Sequence, residues 1–158
     1  MKKINIGNVS IGKGCDIAIQ SMLNVKTSDI PAAIEQINRL YSAGCDIVRL
    51  AVPDNDAAEA MGEIVKASPI PVVADIHFDY RLALECVAAG VDKIRINPGN
   101  IGSEDRVKAV ADACANSGVP IRIGVNSGSV EKEILAKYGS PTPEAMAESA
   151  MYHASLLE

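Results

Sequence analysis

The sequence predicts an α/β chain that forms an incomplete parallel TIM-type (βα) barrel, about five βα units preceded by a short hairpin. Three observations carry this expectation. Short apolar strands alternate with amphipathic helical stretches, a rhythm that requires parallel pairing and right-handed crossovers. Ala43-Gly44-Cys45-Asp46-Ile47-Val48-Arg49 returns 46 residues later as Ala89-Gly90-Val91-Asp92-Lys93-Ile94-Arg95, the interval of two βα units. No Rossmann-type glycine fingerprint follows the first strand, which disfavours an open doubly wound sheet. The chain has 158 residues, one domain's worth, whereas a closed eight-stranded barrel takes about 250. Residues 1–158 are therefore expected to be a fragment of a single barrel domain.

Taken in order, residues 4–11 alternate around Gly7-Asn8, the pattern of a hairpin. Strands are expected over 16–21, 46–52, 71–76, 93–97 and 121–125. The first helix opens at Ser28-Asp29 with Pro31 just inside, and Ile34, Ile37, Leu40 and Tyr41 share a face. The second opens near Asp54-Asn55 with Ala57, Ala58, Met61, Ile64 and Val65 inward. A third covers about 80–89. The fourth begins at Ser103 with the stripe Val107, Val110, Ala111 and Cys114. A fifth begins at Thr142-Pro143-Glu144, a cap with proline at the first helical position, and continues to the end of the chain. Gly118-Val119-Pro120-Ile121-Arg122 is a looser third copy of the repeat.

Composition narrows the function. Aromatics are 3% and Trp is absent, so the core is built from Ile, Val, Leu and Ala, as buried parallel strands prefer. Net charge is −5, which argues against a general nucleic-acid or acidic-membrane surface. No apolar signal region follows Met1-Lys2-Lys3 and no apolar run reaches membrane-spanning length, so a cytoplasmic protein is expected. Cys15, Cys45, Cys86 and Cys114 are widely spaced, without a CxxC pair, and are expected to be thiols rather than metal ligands.

An anion bound by such an acidic chain must be held by a few local cations. Strand alternation puts Arg49 with Ala51, Asp75 with His77, Arg95 with Asn97, and Arg122 with Gly124 and Asn126. The opposite phase is apolar and belongs to the helices. The polar phase then faces the barrel interior near the carboxyl ends of the strands, where barrel enzymes place their sites. A single such arginine reads equally well as a rim ion pair. Three in one phase are costly to bury together without a compensating anion, and the guanidinium fork suits phosphate. Two loops, 97–103 and 126–129, add backbone donors. His77 is a candidate phosphate donor or general acid. His153, on the last helix, is expected at the surface or in packing.

These same residues carry a resemblance. Ile19-Gln20-Ser21-Met22, Val73-Ala74-Asp75-Ile76-His77-Phe78-Asp79-Tyr80-Arg81, Arg95-Ile96-Asn97-Pro98-Gly99-Asn100-Ile101-Gly102 and Ile121-Arg122-Ile123-Gly124-Val125-Asn126-Ser127-Gly128-Ser129 resemble the 4-hydroxy-3-methylbut-2-enyl diphosphate synthase family of non-mevalonate isoprenoid biosynthesis. The resemblance extends in order over essentially the whole chain. It implies an iron–sulfur oxidoreductase that opens 2-C-methyl-D-erythritol 2,4-cyclodiphosphate reductively to a linear allylic diphosphate, with loss of water. The electrons would come from flavodoxin or ferredoxin through a [4Fe-4S] cluster held by a separate carboxy-terminal domain. Arg49, His77, Arg95, Arg122 and Asn126 would be diphosphate ligands, with Asp75 and Asn97 beside them.

The remaining barrel strands, a lysine the family uses, three cluster cysteines and a glutamate are not among these residues. The resemblance thus implies that residues 1–158 are the amino-terminal portion of a single TIM-barrel domain, a truncated form without the cluster-binding domain, catalytically inactive and without iron. Edge strands near 16–21 and 121–125 would invite pairing with another copy, so a homo-oligomer is expected. Two other readings stay open from the residues alone. One is a phosphate-binding barrel lyase or pterin-type synthase using Asp75 and Asn97. The other is a stand-alone anion-binding module.

Overall fold

The computed structural model describes residues 2–157. The chain opens with the expected hairpin, β1 (Ile4–Ile6) and β2 (Val9–Ile11), paired antiparallel with Ile6 opposite Val9. Gly7 takes φ +54°, and a side chain there would stand 3.0 Å from Pro71 Cγ. Glycine meets both demands of this turn.

Five parallel strands follow: β3 (Gln20–Met22), β4 (Ile47–Val52), β5 (Val72–Ile76), β6 (Lys93–Ile96) and β7 (Ile121–Ile123). They lie side by side in chain order, and the sheet does not close on itself among the described residues. Helices α1 (Ile30–Ser42), α2 (Asn55–Ala67), α3 (Tyr80–Ala88) and α5 (Glu104–Ser117) fill the crossovers, with a single turn, α4 (Pro98–Ile101), before the last. After β7 come a 3-10 turn (Ser127–Ser129), α6 (Lys132–Tyr138) and α7 (Pro143–Ser155).

Local chemistry sets the helix starts. Asp29, Asp54 and Thr142 accept hydrogen bonds from the backbone N–H three residues on, at 3.2, 2.9 and 3.2 Å, which satisfies donors that a helix leaves orphaned. Pro31 and Pro143 occupy the first turn, where a missing N–H costs nothing.

The sequence expectations need three corrections. The first barrel strand begins at Gln20, not Asp16. Ahead of it, the Asp46 carboxylate accepts from the Ile19 N–H at 2.7 Å in place of a ladder bond, and Ile17 is left 94% exposed. Tyr41 lies outside the α1 stripe, where Ala33 and Ile37 are the buried residues. Finally, α4 and α6 interrupt stretches without helical periodicity, because each is too short to show one.

The two sheet faces are chemically distinct. Val48, Leu50, Val52, Val72, Ala74, Ile76, Ile94 and Ile96 form the outer-face core with Ile37, Met61, Ile64, Cys86, Val107 and Cys114 from the helices. Each such isoleucine contributes about 2 kcal/mol by leaving water. On the inner face, Ile47 and Val73 pack against Ile6 of the hairpin, which covers the amino-terminal ends of the strands. The carboxyl ends carry the polar residues.

Candidate functional site

Parallel register arranges the inner face in rows. Met22, Arg49, Val73 and Lys93 form one row across β3 to β6. Ala51, Asp75, Arg95 and Arg122 form the next row toward the carboxyl ends. Among the described residues, four cations therefore share this face with a single carboxylate.

That carboxylate is Asp75, 3% exposed on the central strand. Arg95 Nη1 donates to its Oδ1 at 2.9 Å, and Arg49 Nε stands 3.4 Å from Oδ2. The second is a charge contact only, since Arg49 Nε is buried and makes no hydrogen bond. His77, in the loop after β5, brings Nε2 to 3.6 Å from the same oxygen. Arg49, Asp75, His77 and Arg95 thus form one cluster, as their shared phase predicts. Arg122 is adjacent by register but exposed, and makes no ion pair among the described residues.

Asn97 and Asn126 belong to the loops beyond β6 and β7. Asn97 is buried, and its Nδ2 donates to Ser129 Oγ at 2.8 Å. The same oxygen accepts from the Asn126 N–H at 3.2 Å and donates to the Asn126 carbonyl at 3.1 Å. Ser129 therefore stitches the two loops together. The Asn126 side chain is exposed at the head of the 3-10 turn.

Lys93 is the residue that sequence reasoning missed on this face. It is 8% exposed. Burial, then repulsion from Arg122 and Arg49, draws its ammonium below the usual lysine range. The signal was present: Lys93 stands two positions before Arg95, hence in the same phase. Glu131 and His153 were also missed. Of its two expected places, surface or packing, His153 takes the second at 4% exposed, and what escaped notice is that its Nε2 meets Glu131 Oε1. Twenty-two residues separate them, so no local pattern could have joined them.

The thiols are dispersed. Cys45, Cys86 and Cys114 are buried at separate places and Cys15 is partly exposed. Burial and then the nearby Glu85 push the Cys86 thiol up to about 12, and burial pushes Cys114 up to about 11. Among the described residues no three His, Cys, Asp or Glu side chains converge as metal ligands would. No helix among them is long and apolar enough to cross a membrane.

Comparison with known proteins gives concordant results. The model of the GcpE TIM-barrel domain matches residues 1–158. A 4-hydroxy-3-methylbut-2-en-1-yl diphosphate synthase (flavodoxin) of Ruminiclostridium cellulolyticum is 60% identical over 157 residues, covering 99% of this chain and 44% of that protein. One of the same name from Pseudomonas syringae pv. tomato is 59% identical over 157 residues, covering 99% and 42%. The chain thus spans less than half the length of these relatives. Among solved structures, a mandelate oxidase mutant superposes with a TM-score of 0.51 at 16% identity, over 89% of this chain and 53% of that one. That likeness concerns the barrel fold alone.

Proposed function

The chain belongs to the family of GcpE TIM-barrel domains, and from this premise we infer that its inner strand face is the diphosphate-holding part of a 4-hydroxy-3-methylbut-2-en-1-yl diphosphate synthase. The single observation that carries the reading is the excess of inward cations: Arg49, Lys93, Arg95 and Arg122 against Asp75 alone. Clustered cations in a partly desolvated site favour a multiply charged anion. The ligand proposed is 2-C-methyl-D-erythritol 2,4-cyclodiphosphate.

In this reading Arg49, Arg95 and Arg122 take the phosphate oxygens, with His77 and Asn126 as further donors at the rim. Asp75 fixes the two guanidinium groups it faces, and Asn97 fixes the Ser129 turn, so both act beside the ligand. Arg95 is held from one side by Asp75, which leaves the rest of its fork for a second anion. His77, 39% exposed on its side chain, can offer a proton to a departing oxygen.

Ring opening by this family is proposed to draw electrons from flavodoxin, named for the relatives, or ferredoxin, by way of a [4Fe-4S] cluster. The cysteines here do not fit such a cluster, being separate and mostly buried. Its ligands are proposed to lie outside these 158 residues, in a separate domain, and no step is drawn through it. By itself the chain binds the cyclic diphosphate without turning it over.

Calorimetry on the purified chain tests this. The cyclic diphosphate is expected to bind at least tenfold more tightly than inorganic diphosphate, and Arg95→Met to weaken it. Equal affinity for both anions, or no heat from either, would overturn the reading.

A further inference from the structure

The Glu131–His153 pair lies outside the cation cluster, yet among the described residues it is the most deeply buried ion-pair contact not used by that cluster. Glu131 stands at the start of α6, directly after the 3-10 turn, and its Oε1 meets His153 Nε2 on α7. Ser149, fully buried one turn before His153 on α7, lies beside them. Such a pair is held only where its partners stay in place, since each buried polar group left unmatched costs stability.

The same carboxylate oxygen also approaches the loop after β6. A side chain on Gly99 would stand 3.4 Å from Glu131 Oε1, 2.7 Å from the Ser129 carbonyl oxygen and 3.5 Å from Asn97 Oδ1. Gly99 is thus pressed against the residues that join the two loops, and only the lack of a Cβ permits it. From α7, His153 meets Glu131, which follows Ser129 by two residues, and Ser129 accepts from Asn97 at 2.8 Å. The α7 helix is further tied to α5 by Tyr152, whose hydroxyl donates to Glu104 at 2.9 Å.

We propose that Glu131 and His153 are positioning residues that clamp the 97–101 and 126–129 loops together, fixing the rim of the anion site from behind. The proposal rests on the diphosphate reading for its functional meaning. The clamp itself is a statement about loop geometry. His153 never touches the ligand; it acts by fixing Glu131 and, two residues before it, the Ser129 turn that holds Asn97.

Two measurements on the whole chain separate these claims. Hydrogen–deuterium exchange reads the 97–101 backbone without any ligand, and calorimetry with inorganic diphosphate reads the site. His153→Phe keeps the volume and removes the donor, so 97–101 is expected to exchange at least tenfold faster and diphosphate to bind about tenfold more weakly. His153→Gln restores an N–H aimed at Glu131 and is expected to recover most of both. Gly99→Ala leaves the pair intact but intrudes on Ser129, and is expected to reproduce the His153→Phe phenotype should that variant fold poorly. Unchanged exchange in both His153→Phe and Gly99→Ala, or no recovery in a folded His153→Gln, would overturn the clamp. Wild-type chain that gives no heat with either inorganic diphosphate or the cyclic diphosphate, while His153→Phe loosens the loop, would sink the diphosphate reading and leave the clamp standing.

Discussion

The guanidinium of Arg95 lies across Gly124, so close that a methyl group at residue 124 would stand 2.6 Å from Arg95 Cζ. The bare backbone of β7's carboxyl end, bonded through the Gly124 N–H to the Ile96 carbonyl at 2.8 Å, is the floor on which this arginine rests. Gly124→Ala is therefore expected to push Arg95 off its Asp75 contact. One charge-assisted hydrogen bond is worth about 1.5–3 kcal/mol, so diphosphate affinity should fall by at least about tenfold in calorimetry. Unaltered affinity would mean that Arg95 reaches the ligand from another rotamer.

Asp75 is the counter-charge of the cluster. Asp75→Asn keeps its shape but leaves Arg49 and Arg95 facing a neutral group. Breaking a buried pair in this way costs about 3 kcal/mol, to be read as a lower urea midpoint. Added diphosphate is expected to return part of that stability, because the anion supplies the missing charge to the folded state only. A midpoint that does not move would show that the arginines stand without Asp75.

Glu131 gives the fold an acid limit. Burial alone would raise its carboxyl; the neighbouring Ser149 hydroxyl, its own backbone N–H and His153 outweigh this and bring it below the ordinary range. A carboxyl lowered in the folded state stabilises above its unfolded pKa, about 4.3, and loses that contribution as pH falls through the folded value. Asp79 and Glu148 are lowered too, by hydrogen bonds from Arg81 and Lys137 respectively, but those pairs are exposed and salt screens them. At high salt the acid unfolding limb below about pH 5 is expected to flatten in Glu131→Gln relative to wild type. An identical limb in both would contradict this assignment.

Strands β3 and β7 each have a free edge among the described residues, and Ile17, Ile19 and Met22 are exposed near the first. Unpaired edges with apolar neighbours attract further strands. Light scattering on the chain is expected to give a mass above the monomer that rises with concentration. A constant monomer mass at high concentration would count against self-association.

Much of the site was legible in the sequence because side-chain direction on a strand is a local property. A period of two put Arg49, Asp75, Arg95 and Arg122 on one face, and the structure keeps all four there. The same rule held Lys93, overlooked beside Arg95. Caps and first-turn prolines likewise announced α1, α2 and α7 within a residue or so, since they answer to the backbone nearby.

What the tertiary structure alone decided is which of those residues meet. The stagger of parallel strands sets Arg49 one row below Arg95, so that both reach Asp75 rather than standing level. Ser129 joins Asn97 across 32 residues, and His153 joins Glu131 across 22. Periodicity and the internal repeat determined the barrel type and its inward cations, and the resemblance of the strand-end motifs pointed to the family. The pairings depended on how separate units pack, because burial and hydrogen-bond matching between distant segments are fixed only when the whole sheet and its helices come together.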